Sequence, residues 1–283
     1  MRLPGPDYLA PAKLNLFLHV LGRRPDGYHL LQSVFTLIDR CDRIRIQVRT
    51  DGAIVRVNDV PGVPPEQDLA VRAARRLKEA TGSPMGADIE IDKRIPMGGG
   101  LGGGSSDAAT VLLVLDRLWA THLGAAALRG LGQALGADVP FFLFGESAWV
   151  EGIGERLSPI AVAPRWYLVL VPPVAVPTPG VFASPELTRD TEALKMEDFS
   201  AQPGDPRFRN DLEPVVLARF PAVRDSLEWL RARDRAARMT GSGGCVFAAF
   251  DSREAAQRVM DELPASMHGF IAQGLAHHPL RAQ

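Results

Sequence analysis

The feature that most restricts this 283-residue chain is the run Pro96-Met97-Gly98-Gly99-Gly100-Leu101-Gly102-Gly103-Gly104-Ser105-Ser106, in which six of the seven residues from 98 to 104 are glycine. Glycine tolerates positive φ and lets backbone come close to a ligand, so such a run is either a flexible linker or a loop whose N–H groups turn inward. Its flanks decide. Ile89 and Ile91 form a strand ending at Pro96, and Ala108, Val111, Leu112, Leu115 and Leu118 recur at helical spacing beyond the loop. Linkers do not sit tightly between a strand and an apolar helix. A glycine loop opening a helix offers free N–H groups and the positive end of the helix dipole, a setting for phosphate. Ser105 and Ser106 can cap that helix, or touch phosphate oxygens or a metal ion. The loop lacks the Gly-Lys-Ser/Thr of a Walker motif. Gly98-x-Gly100-x-x-Gly103 fits the dinucleotide pattern, but Leu123 and Gly124 stand about 20 residues on, where that pattern needs an acid.

Phosphate binding must be local, because 32 Lys+Arg against 33 Asp+Glu leaves a formal charge of -1 and no basic field for nucleic acid or an acidic membrane. With 46% hydrophobic and 23% charged residues the chain has a globular composition. Cys41 and Cys245 make neither a disulfide framework nor a zinc spacing, and read as partly buried thiols. Apolar stretches such as Trp166 to Val171 are far short of the roughly 20 residues that span a bilayer. Residues 1 to 9 hold no apolar h-region. The expectation is a cytoplasmic enzyme with a small-molecule substrate and neither nucleic acid nor membrane as partner; the oligomeric state is left open. Only four residues are lysine, namely Lys13, Lys78, Lys93 and Lys195, so each is a deliberate choice against arginine.

Alternation from Leu14 to Leu21 predicts a strand, and Arg24 to His29 a turn. Ile44, Ile46 and Val48 face Ile54 or Val55 and Val57 across Asp51-Gly52, which predicts a hairpin. Leu69, Ala73 and Leu77 predict a helix capped by Asp68 and stopped at Gly82. Gly136 to Pro140 is a turn before the apolar Phe141 to Phe144, and a domain boundary is placed near 155 to 163. Trp166 to Val171 is a strand, the prolines from 172 to 179 an extended connector, and 185 to 209 a polar, loop-rich stretch. Helices are expected at 210–220 and 223–231, a glycine turn at Met239 to Gly244 before the strand Cys245 to Phe250, and a last helix from Arg253. His277-His278 reads as solvated tail. The irregular alternation favours the α+β class.

Pro96 to Ala109, PMGGGLGGGSSDAA, resembles the phosphate-binding motif of the GHMP kinases, a small-molecule kinase superfamily named for galactokinase, homoserine, mevalonate and phosphomevalonate kinases. The doubled glycine run is most similar to the members that phosphorylate a hydroxyl of a cytidine-diphosphate-linked polyol on the non-mevalonate route to isoprenoid precursors. Pro11-Ala12-Lys13-Leu14-Asn15-Leu16, Asp26-Gly27-Tyr28-His29 and Met239 to Phe247 agree in the same order, so the resemblance spans nearly the whole chain. It implies two domains, 1–158 holding ATP and 159–283 completing the substrate side, with the active site in the cleft between them.

Taken alone, Lys13 reads as a snorkelling surface lysine and Asp138 as a helix cap. The resemblance makes them the catalytic pair, with Asp138 taking or orienting the acceptor hydroxyl proton beside the Lys13 ammonium. It assigns Asp68, Leu69, Lys93, Pro96, Met97, Gly98, Gly99, Gly100, Leu101, Gly102, Gly103, Gly104, Ser105 and Ser106 to ATP, although Asp68 stands where an asparagine is usual. Tyr28 and Phe182 match the aromatic positions that sandwich a cytosine, with His29 at its edge; a turn aromatic and a small core contact are the plainer readings. Asn15, Thr178, Thr240 and Gly241 are substrate-side candidates together with Asp138. Mg²⁺ is implied by the charge on the β and γ phosphates, with Ser106 as the candidate contact. Another GHMP kinase acting on a smaller alcohol, a non-catalytic nucleotide-binding module and a nicotinamide dehydrogenase are the alternatives.

Overall fold

The computed structural model describes residues 3–282. Two long antiparallel strands, β1 (Tyr8–Arg23) and β2 (His29–Arg49), form its spine. The predicted turn joins them: Arg24 N–H donates to Tyr28 O (2.7 Å) and the Asp26 carboxylate accepts from Tyr28 N–H (3.2 Å). Next come β3 (Ile54–Arg56), α1 (Leu69–Thr81) and β4 (Gly86–Asp92). The expected hairpin is not formed. Gly52 does turn the chain at φ 75°, but β3 pairs in parallel with β4, which lies between β3 and β2. All of β4 pairs with Arg43–Arg49 of β2, and Ile89 and Ile91 are buried, so this longer ladder takes the edge that a local hairpin would have used. α1 follows its signals, with Asp68 Oδ1 accepting from Ala70 N–H (2.9 Å) and Gly82 left-handed at φ 66°.

α2 (Gly103–Leu118), α3 (Gly124–Gln133) and α4 (Val139–Phe144) precede the strands β5 (Ala148–Gly152) and β6 (Arg156–Pro159). α2 is buried on nearly all sides, so it runs through the core. Its Leu112 and Leu115 pack with Leu77, Ile44, Ile89 and Phe141 in one cluster.

The remaining elements are β7 (Trp166–Leu170), α5 (Thr178–Phe182), α6 (Met196–Ala201), α7 (Glu213–Arg219), α8 (Pro221–Arg231), β8 (Arg238–Met239), β9 (Val246–Phe250), α9 (Arg253–Asp261) and β10 (Gly269–Leu275). A second core gathers Leu168, Leu170, Val216, Leu227, Leu230 and Val246. The proline connector is not extended throughout: it ends in α5, whose first turn accommodates Pro179 because N–H groups there need no partner. β10 was not foreseen, since Gly269 and Gly274 dilute its apolar pattern. It pairs with β7 from Gly269 to Gln273 and, through Gly274 and Leu275, with Ile38 and Leu37 of β2, joining the ten strands of the described residues into one sheet. His278 is no solvated tail. Only 1% exposed, it donates from its backbone N–H to Gly145 O (2.8 Å), and burial with the Arg117 charge pushes its ring down to about 4.

Candidate active site

Strand alternation puts Lys13 and Asn15 of β1 on one face. A bulge follows: Asn15 opposes Phe35 while Phe17 opposes Val34, leaving Leu16 unpaired. The extra residue reverses the parity, so Leu18 continues the face of Lys13 and Asn15, and Phe17 packs on the other side with Trp149, Phe199 and Phe208. Lys13, Asn15 and Leu18 line a cavity of about 650 Å³. Asp138, Ser105, Gly100, Gly102, Gly241, Ser242, Thr178, Phe182, Tyr28 and His29 complete most of its wall. A larger cavity, about 800 Å³, opens beside Leu16, Tyr167 and Phe247, but neither glycine turn reaches it.

The glycine loop is anchored by its one side chain. Leu101 is 1% exposed among Leu14, Ile95, Val169, Cys245 and Phe247, and its carbonyl accepts from Lys13 N–H (3.0 Å). Burying such a leucine contributes about 1.5–3 kcal/mol, enough to hold one conformation of a glycine-rich loop. Gly100 sits at φ 79°, and a Cβ there would lie 2.4 Å from Thr240 O, so the loop and the Met239–Gly244 turn touch backbone to backbone. Cys245 N–H donates to Gly99 O (3.2 Å) across the same contact. Asn210 fixes the second turn by donating from Nδ2 to Met239 O (3.0 Å) and Gly241 O (2.8 Å), while Asn15 N–H donates to Thr240 Oγ1 (2.9 Å). Left-handed Gly102 opens α2, and no side chain caps that helix. Its first N–H groups are therefore left for an anion.

Across the cavity, Lys13 Nζ lies 3.4 Å from Asp138 Oδ2, donates to Asn15 Oδ1 (2.6 Å) and stands 4.8 Å over the Phe35 ring. Lys13 is buried, whereas about a third of the Asp138 side chain is exposed, at 31%. Asp138 occupies the cap position of α4 but makes no capping hydrogen bond, so its carboxylate is free to face Lys13 and the cavity. At the other end, His29 and Phe182 stack with centroids 5.0 Å apart at 33°, and Tyr28 is 61% exposed at the rim. Thr178 Oγ1 and Ser242 Oγ are 2.6 Å apart.

The other expected ATP contacts surround the loop rather than this cavity. Asp68 caps α1 and takes Arg56 Nη1 at 2.7 Å; Leu69 lies near Gly104, where a Cβ would be 3.7 Å from its Cδ1. Lys93 pairs with Asp42 and with Asp107 (2.7 Å). Met97, Gly98 and Gly104 are exposed, Gly99 is buried, and Pro96 and Gly103 are intermediate. Ser106 Oγ is fully buried without a partner. Sequence reasoning missed Phe35, Asp42, Asp107, Arg189 and Asn210. Asn210 alone carried a signal, as an amide at the predicted start of a helix.

The description GHMP kinases N terminal domain matches residues 68–146, and GHMP kinases C terminal matches residues 189–269. The 4-diphosphocytidyl-2-C-methyl-D-erythritol kinase of Thiobacillus denitrificans is 58% identical over 271 residues, which is 96% of each chain. The chain belongs to that kinase family. The enzyme of the same name from Aromatoleum aromaticum is 54% identical, over 97% of this chain and 95% of its own. A crystal structure of 4-(cytidine 5'-diphospho)-2C-methyl-D-erythritol kinase superposes with a TM-score of 0.83 at 37% identity, covering 95% of this chain and 99% of the other. A homoserine kinase from Cytophaga hutchinsonii, 17% identical with a TM-score of 0.69, shares the fold. The α+β, two-domain GHMP kinase architecture is thus established, and the chain is a kinase whose co-substrate is ATP. No helix among the described residues is long and apolar enough to cross a membrane.

Proposed function

We propose that this kinase transfers the γ-phosphoryl group of ATP to the 2-hydroxyl of 4-diphosphocytidyl-2-C-methyl-D-erythritol in the non-mevalonate pathway, releasing ADP and the 2-phosphate. The observation that carries the reading is one cavity with the Lys13–Asp138 pair and both glycine turns at one end and the His29–Phe182 stack at the other. The uncapped start of α2 and the N–H groups of the loop hold the phosphates; Asp138 receives the hydroxyl proton; and the Lys13 ammonium, kept in place by Asn15, stabilises the alkoxide as it attacks phosphorus. Positioning and charge neutralisation supply most of the rate in such a transfer.

Mg²⁺ would neutralise the β and γ phosphates. The described residues contain no group of three or more His, Cys, Asp or Glu that could hold an ion, so it would enter with the nucleotide. The orphaned Ser106 hydroxyl in the first turn of α2 is the oxygen that fits it. His29, Phe182 and Tyr28 would hold the cytosine, each stacked face contributing about 1–3 kcal/mol. Free thiols at Cys41 and Cys245 accord with a cytoplasmic location. The test is inhibition by CMP, which should compete with the acceptor and not with ATP. Failure of CMP to compete would favour a kinase for a smaller alcohol.

A further inference from the structure

The base-binding end of the cavity is held by a side chain from outside it. Arg189 donates from Nε to His29 Nε2 (3.1 Å), from Nη1 to Leu187 O (3.0 Å), and from Nη2 to Phe182 O (2.8 Å) and Ser184 O (2.6 Å). One guanidinium thereby ties the first residue of β2 to the last of α5, the two residues whose rings stack. A guanidinium donates only, so His29 Nε2 must be the acceptor, and a neutral imidazole that accepts at Nε2 carries its proton on Nδ1. The ring is kept neutral: burial lowers its pKa, and the two charges that face it, Arg189 and Arg23, lower it further.

We propose that Arg189 is a positioning residue that locks His29 as an Nδ1–H donor and so makes the cavity select cytosine over uracil, an inference that rests on the cytidine reading above. Cytosine presents acceptors at N3 and O2, whereas uracil carries a proton on N3. A fixed donor therefore matches the first base and opposes the second, leaving two donors unpaired, which is the stronger form of discrimination. With Arg189 removed, the ring is free to exchange tautomers and to turn against Phe182, and both the match and the mismatch fade.

Two measurements test this. In the first, long-range ¹H–¹⁵N spectra of the ligand-free enzyme at pH 7.5, with His29 assigned from its missing signals in His29→Asn, should show a protonated Nδ1 and an unprotonated Nε2. In the second, kcat/KM is compared for the cytidine acceptor and for the same acceptor carrying uracil. Arg189→Met should reduce the preference for cytosine by roughly 10- to 100-fold, through KM for the acceptor and with KM for ATP unchanged. Arg189→Lys, which keeps one donating nitrogen in place of three, should fall between it and the native enzyme. An Nε2–H or doubly protonated His29 in the native protein overturns the proposal, as does a folded Arg189→Met with undiminished preference. If Arg189→Met fails to fold, the native spectrum and Arg189→Lys still decide. A native enzyme that turns over neither acceptor would instead overturn the cytidine reading, while the spectrum would continue to judge the tautomer.

Discussion

If Asp138 acts as a base because Lys13 stands beside it, removing either residue should remove one shared function. The perturbation is the set Lys13→Met, Asp138→Asn and the double variant. At 3.4 Å the attraction between the two charges is about 5 kcal/mol at an effective dielectric near 20. Water reaching the one-third-exposed Asp138 screens part of that, and the remainder matches the roughly 10²- to 10⁴-fold that a positioned acid or base contributes. Each single variant should lose kcat in that range, measured by ADP release under saturating substrates. ATP affinity, read by calorimetry with a non-hydrolysable analogue, should stay within about threefold, since Lys13 and Asp138 face the hydroxyl and the loop backbone holds the phosphates. The double variant should be hardly slower than the slower single, because residues that act as a unit are not additive. Near-native kcat in either single variant, or losses that multiply in the double, would refute the reasoning.

Gly100→Ala places a methyl group 2.4 Å from Thr240 O at φ 79°, so the loop must move; affinity for the ATP analogue should fall at least about tenfold, whereas Val57→Ala, at an exposed position away from the loop, should not change it. His278 has its folded pKa pushed down to about 4, so its contribution is complete above the unfolded value near 6.5 and is lost as pH falls toward 4. Urea midpoints at pH 7 and pH 5 should therefore show about 2 kcal/mol of acid sensitivity that disappears in His278→Asn. Lys93 serves two carboxylates, and Asp107, pushed up to about 8 by burial ahead of the Asp42 charge, is the strained one; its charge costs stability increasingly as pH rises from about 4 to 8. Asp107→Asn should leave the unfolding midpoint at pH 8 unchanged or raise it, whereas Asp42→Asn, whose single carbonyl oxygen cannot serve both the Ile95 N–H and Lys93 as the two carboxylate oxygens do, should cost roughly 1–3 kcal/mol. Equal losses from the two would contradict this.

What was legible in the sequence is local. The 98–104 glycines, the Asp68 and Gly82 ends of α1 and the Arg24 to His29 turn announce themselves, because conformational demand and hydrogen bonding act within a few residues. Pairing across the chain does not. The Asp51-Gly52 turn was visible, yet β4 separates β3 from β2, since burial of Ile89 and Ile91 outweighs proximity in sequence. β10 was hidden by its glycines although it links both halves of the sheet. The same divide runs through the site. Lys13, Asn15 and Asp138 were named through a resemblance, and the bulge at Leu16 that decides which β1 side chains reach the cavity has no local mark. Arg189, Asn210 and the Asp42–Lys93–Asp107 cluster act over separations of 14 to 160 residues, so only the folded chain exposes them.

Acceptor choice is the property on which the proposed activity rests most directly. A coupled ADP-release assay on the purified enzyme with ATP and Mg²⁺, comparing 4-diphosphocytidyl-2-C-methyl-D-erythritol with mevalonate, homoserine and galactose, should show rapid turnover of the cytidine compound alone. Comparable turnover of any of the other three would contradict it.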